Sequence, residues 1–113
     1  MQISFVIPHK GRFEMLIETI HSISRQSFNL SDIEVIVVSQ TPELEQQLLL
    51  KNDNLNLKLC IRPETDSISA LRNYGVLQAK GTYIAFLDAD IALSKNWSEQ
   101  MIRVLTEDPK RII

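Results

Sequence analysis

Four short apolar runs punctuate the chain: Ile3 to Ile7, Ile33 to Val38, Leu57 to Ile61 and Thr82 to Leu87. Each is aliphatic and rich in β-branched or aromatic residues, the pattern of strands covered on both faces. Between them the period changes. Phe13, Leu16, Ile17, Ile20 and Ile23 recur at three- and four-residue spacing, which predicts an amphipathic helix over about 12–25, set apart from the first strand by Pro8 and Gly11. Ile68, Leu71, Tyr74 and Leu77 predict a second helix over about 67–79, starting near Asp66 or Ser67, with Gly81 just past its end. A third is expected from Ser94 as N-cap, with Trp97, Met101, Val104 and Leu105 on one side, stopping before Pro109. Leu44, Leu48 and Leu49 mark a weaker helical stretch over about 43–51, ended by Asn52, Asp53 and Asn54. Strands alternating with helices predict an α/β fold: a mostly parallel sheet flanked by helices.

Composition narrows this picture. A chain of 113 residues has room for one domain, and 44% hydrophobic with 23% charged residues is an ordinary globular balance. The formal net charge is -2 and the basic residues are scattered, so nucleic acid is not expected as a partner. No apolar run approaches the roughly 18 residues needed to cross a bilayer, and Met1 to Pro8 lacks the basic start of a signal peptide, so a cytoplasmic location is expected. Cys60 is the single cysteine, which excludes an internal disulfide and reads as a small buried hydrophobe. After the turn at Asp108-Pro109, Lys110-Arg111-Ile112-Ile113 resembles a strand beginning, which predicts a truncated half of a larger fold.

Chemistry concentrates where the fourth apolar run ends. Tyr83-Ile84-Ala85-Phe86-Leu87-Asp88-Ala89-Asp90 is a strand-like segment that stops in two carboxylates two residues apart. Side chains at that spacing share a strand face, so both carboxylates can converge on one hard divalent cation and a phosphate bound to it. Alternatively, both merely solvate a turn and cap the next helix. Arg72, on the helix before that strand, offers a guanidinium to a base or diphosphate, or is an exposed helix arginine. His21 reads as a surface residue, and Trp97 as packing its helix rather than stacking on a sugar.

These segments, in this order, resemble the GT-A fold glycosyltransferases of family 2. Ile3-Ser4-Phe5-Val6-Ile7-Pro8-His9-Lys10-Gly11-Arg12 is similar to the family's first strand and its Pro-Thr-Tyr-Asn-Arg-like turn. Leu16, Ser22, Ile23 and Gln26 match the helix that follows, and Ile33 to Val38 the second strand. Ala70-Leu71-Arg72-Asn73-Tyr74-Gly75-Val76, Ala79-Lys80-Gly81 and Asp88-Ala89-Asp90 resemble the family's Ala-Arg-Asn-x-Gly helix, Ala-x-Gly turn and Asp-x-Asp signature. The resemblance spans nearly the whole chain. It implies a Rossmann-like GT-A fold, with residues 1–113 as the nucleotide-sugar-binding N-terminal part and the acceptor part absent.

The resemblance implies transfer of a hexose from a nucleotide diphosphate sugar to a glycan, glycolipid or other hydroxyl acceptor, with inversion and assisted by Mn²⁺ or Mg²⁺. Asp90 would ligate the metal, and Asp88 would bind the ribose hydroxyls and reach the metal as well. Pro8, His9, Arg12, Gln40 and Arg72 would contribute to the nucleotide site, Arg12 being equally a solvated first-turn position. The general base would be a carboxylate downstream of this chain, so that the isolated 113 residues bind donor without turnover. Polysaccharide or glycolipid assembly is the family's usual setting, which implies a place at the inner face of the membrane through parts outside this chain. Two departures stand out: Ser39-Gln40-Thr41-Pro42 replaces the family's acidic loop that reads the uracil ring, and His9-Lys10 replaces its usual Thr and Tyr. Gln40 can still donate and accept at a base edge.

Other readings come from different classes. The altered Ser39-Gln40 loop suits a non-catalytic nucleotide-sugar-binding module. Asp88-Ala89-Asp90-Ile91-Ala92 also resembles the nucleophile loop of haloacid-dehalogenase-like phosphatases, but three strands precede it where that motif follows the first. A dinucleotide-binding domain is set aside, since the chain has three glycines and no Gly-x-Gly-x-x-Gly after its first strand.

Overall fold

The structure is a computed structural model that describes residues 2–11, 14–41 and 55–107. Among these residues four strands form one sheet: β1 (Ile3–His9), β2 (Ile33–Ser39), β3 (Asn56–Ile61) and β4 (Tyr83–Phe86), in the order β3-β2-β1-β4. All three pairings are parallel, with Ile3 opposite both Ile33 and Tyr83, and Val35 opposite Leu57. The helices are α1 (Glu14–Ser24), α2 (Ile68–Gln78) and α3 (Trp97–Glu107), and a single 3-10 turn, Leu30–Asp32, leads into β2. The fold is α/β, as the alternation of periods predicts. The weak helix over 43–51, Arg12 and the chain beyond Glu107 lie outside the described residues. Among the described residues no helix is long and apolar enough to cross a membrane.

Each face of the sheet has its own core. Ile3, Phe5 and Ile7 of β1 and Ile33, Val35 and Val37 of β2 meet Leu16, Ile20 and Ile23 of α1, and Trp97 and Ile102 of α3 pack against the same cluster. The opposite face sets Ile36, Val38 and Cys60 against Leu71 of α2. Burial on both sides explains why β1 and β2 read as unbroken apolar runs. Cys60 is buried as expected, and burial pushes its thiol pKa up, partly opposed by the positive charges of Lys58 and Arg62. Trp97 packs as expected too, its ring centroid 5.6 Å from that of Phe5.

The edges correct two expectations. Among the described residues β3 and β4 are not covered on both faces: along β4, Ile84 and Phe86 remain 38% and 50% exposed, because α2 seats over β1 and β2 and not over that side of β4. The third helix starts at Trp97 and not after Ser94. Ser94 contributes only its carbonyl, to the Trp97 N–H at 3.1 Å, while Gln26 Oε1 accepts the Ser98 N–H at 2.9 Å. A side chain 72 residues away thus does what a local N-cap would do. Ser67 caps α2 as its sequence position suggests, its hydroxyl accepting the Ala70 N–H at 3.1 Å.

Candidate functional site

Because the four strands run in one direction, their carboxyl ends lie along one edge of the sheet. The chain steps outward from β1 to β2 to β3, then crosses through α2 and returns to the other side of β1 as β4. The strand order therefore turns back between β1 and β4, the place where parallel α/β sheets open a crevice for ligands. Lys10 and Gly11 leave β1 at that place, and the segment with Asp88 to Asp90 follows β4.

Strand alternation does not carry through to the two carboxylates. β4 ends at Phe86, Leu87 turns into the core, and the Ile91 N–H closes a turn on the Asp88 carbonyl at 3.2 Å. Asp88 and Asp90 therefore project from a turn, both exposed. Arg72 reaches Asp88 from α2, Nη2 to Oδ1 at 3.5 Å. Asp90 has no hydrogen bond or ion pair among the described residues. No group of three His, Cys, Asp or Glu gathers there among the described residues. A divalent ion shared with phosphates needs only one or two protein carboxylates, so the hard oxygen donors of Asp88 and Asp90 fit such an ion.

The other proposed nucleotide contacts separate onto the two faces. Pro8 is buried within β1 opposite Val38. His9 is 1% exposed and lies beside Ser39 on the neighbouring strand, Nδ1 to Oγ at 2.9 Å. Ser39 Oγ also accepts the Thr41 N–H at 3.0 Å, so this buried pair shapes the start of the loop after β2. Gln40 faces away from that pair. Its Nε2 donates to the Pro63 carbonyl at 3.0 Å and to the Asp66 carbonyl, bracing the end of β2 against the segment between β3 and α2. That segment is stiffened by Arg62, which pairs with Asp66 at 3.0 Å and lies 4.5 Å above the Tyr74 ring. The structure thus brings Arg72 and Asp88 into contact, and commits the amide hydrogens of Gln40 to the protein.

Two further groups set the site without touching it. Gly11, with φ +87, makes the left-handed turn out of β1, and its carbonyl accepts from Thr41 Oγ1 at 3.4 Å. At the amino end of the sheet, buried Glu34 accepts from the Ser4 hydroxyl and from the Lys80 N–H, and Ser4 Oγ accepts the Gly81 N–H at 2.8 Å. This clamp holds the turn from which β4, and so Asp88, departs. A polar residue inside the apolar run Ile33 to Val38 is the one sequence signal that pointed to it.

Comparison with known proteins identifies the family and the fold. The profile of the family described as Glycosyl transferase family 2 matches residues 4–113. Glycosyltransferase AglE of Haloferax volcanii is 28% identical over 109 residues, covering 92% of this chain and 35% of AglE. The crystal structure of S. aureus TarS 1-349 in complex with UDP-GlcNAc superposes with a TM-score of 0.83 at 27% identity, over 95% of this chain and 32% of that one. The mannosyltransferase PcManGT of Pyrobaculum calidifontis, in complex with GDP-Man and Mn²⁺, shares the fold with a TM-score of 0.67 at 22% identity, over 79% of this chain and 27% of that one. The chain thus spans about a third of the length of AglE and of the TarS 1-349 structure. With a parallel sheet of order β3-β2-β1-β4 and a family match over nearly its whole length, the chain belongs to glycosyl transferase family 2 and has the GT-A fold.

Proposed function

We propose that this chain is the donor-binding part of an inverting, metal-assisted glycosyltransferase that moves a hexose from a nucleoside diphosphate sugar to an acceptor hydroxyl. The observation that carries the reading is the pair Asp88 and Asp90 emerging from β4 beside the loop of β1, with Arg72 aimed at Asp88, in a family 2 chain. The TarS complex with UDP-GlcNAc supports a nucleotide sugar donor. Asp90, assisted by Asp88, would hold Mn²⁺ or Mg²⁺, which when bound neutralises charge on the departing diphosphate. Asp88 binds the ribose hydroxyls, and Arg72 offers fixed donors to the diphosphate. The acceptor oxygen bonds to the anomeric carbon opposite the diphosphate as the bond to the diphosphate breaks, and the hydroxyl proton passes to a carboxylate base outside residues 1–113. Alone, this chain binds donor nucleotide and does not transfer.

Calorimetric titration with UDP, GDP, dTDP and CDP, with and without Mn²⁺, tests this. One nucleotide should bind in a metal-dependent way and lose that dependence in Asp90→Asn; no binding to any of the four would overturn the reading for this chain.

A second reading, a nucleotide-sugar-binding module without catalysis, is favoured by the neutral Ser39-Gln40 loop, whose Gln40 amide is held by Pro63 and Asp66. Metal-dependent nucleotide binding by the full-length protein without transfer would establish it.

A further inference from the structure

The contact between Arg72 and Asp88 joins two groups that the proposed function assigns to the ligand. The guanidinium lies against Oδ1 of Asp88, so a cation that takes this oxygen must displace it. The contact is one Nη2 to Oδ1 approach at 3.5 Å, with the two side chains 41% and 65% exposed, and so is open to displacement. It contrasts with Arg62, which is held both by Asp66 and by the Tyr74 ring. Gly75 seats α2 directly against Val6 and Val38, so the backbone that carries Arg72 stays in place.

From this geometry we propose that Arg72 is an internal counter-ion for Asp88 that yields the carboxylate to the divalent cation, and that this exchange couples cation binding to nucleotide binding. The proposal rests on the reading of Asp88 and Asp90 as the cation site. Formal charge gives the reason. Asp88, Asp90 and Arg72 together carry one net negative charge, and a divalent cation converts it to one net positive charge. The guanidinium is then released next to a site that has become attractive to a diphosphate. A cation arriving alone must compete with Arg72; a cation arriving with a nucleotide diphosphate finds Arg72 a new anionic partner. Cation and nucleotide therefore strengthen each other, and the coupling is reciprocal. Arg72 is in this respect a positioning residue, acting through Asp88.

The test measures Mn²⁺ binding by electron paramagnetic resonance without nucleotide, and UDP binding by calorimetry with and without Mn²⁺. Wild type, Arg72→Gln, Arg72→Lys and Asp90→Asn are compared, with circular dichroism confirming the fold. Arg72→Gln should bind Mn²⁺ alone more tightly, by about two- to fivefold, because a competing positive charge is gone. The factor by which Mn²⁺ strengthens UDP binding should fall in the same variant by about fivefold or more. Arg72→Lys, keeping the charge but not the fork, should restore the weak Mn²⁺ binding and only part of the coupling. If Mn²⁺ binds and Asp90→Asn abolishes it while Arg72→Gln binds Mn²⁺ no more tightly than wild type, the exchange is overturned and the cation site stands. If wild type binds no Mn²⁺ with or without UDP, both fall together.

Discussion

Glu34 shows how much one residue can organise. Its carboxyl is buried in the second position of β2, where it accepts the Ser4 hydroxyl and the Lys80 N–H. Glu34→Ala leaves that donor pair without a partner and should cost about 2–4 kcal/mol of stability in urea denaturation. Glu34→Gln, which keeps an acceptor, should cost less. Gly81→Ala attacks the same clamp from the other side: its Cβ would stand 2.6 Å from Ser4 Oγ and 2.7 Å from the Ser4 nitrogen, which is backbone and cannot yield. Cys60 makes a pH-dependent prediction. Burial raises its pKa from an ordinary 9.0, so the folded state favours the neutral thiol. That contribution is complete below the unfolded-state pKa and is lost as pH rises through the folded one. Stability followed from about pH 7 to about pH 10 should therefore fall on the alkaline side more steeply in wild type than in Cys60→Ala.

Helix placement depends on contacts between distant elements. α2 approaches the sheet at Gly75, where an added Cβ would collide with a Val6 methyl and lie 3.3 Å from a Val38 methyl. Alanine is a better helix former than glycine by about 1 kcal/mol, but overpacking costs about 1–3 kcal/mol, so Gly75→Ala should destabilise in a thermal melt. Because α2 carries Arg72, the same change should weaken nucleotide binding. α3 depends on Gln26, whose side chain accepts the Ser98 N–H and donates to the Ser94 carbonyl at 2.8 Å and the Ser22 carbonyl at 3.0 Å. Gln26→Ala should cost about 1–2 kcal/mol by urea denaturation. The segment 67–79 was legible as a helix because its apolar period and its Ser67 cap are local. The start of α3 was not, since its cap comes from a distant turn.

Across the whole molecule, stability should grade from the middle of the sheet outward. β1 and β2 are buried along their full length, whereas among the described residues β4 pairs on one side only and leaves Ile84 and Phe86 half exposed. Hydrogen exchange should be slowest in β1 and β2 and fastest, among the strands, in β4. Exchange in β4 as slow as in β1 would mean that something covers that edge in solution.

The sequence by itself determined the four strands, the flanking helices and the family, because these follow from local period and from motifs in a fixed order. Period two and period 3.6 are properties of neighbouring residues, so apolar runs such as Ile33 to Val38 announce their structure without reference to the rest of the chain. Tertiary structure alone decided what each polar group near the site does. Gln40, read as a candidate for a base edge, braces Pro63 and Asp66; His9 is buried against Ser39; Arg72 reaches Asp88; Glu34 holds a turn that begins 46 residues later. A hydrogen bond or an ion pair is made by whichever partner the fold brings within about 3 Å, and that distance is not a local property of the chain.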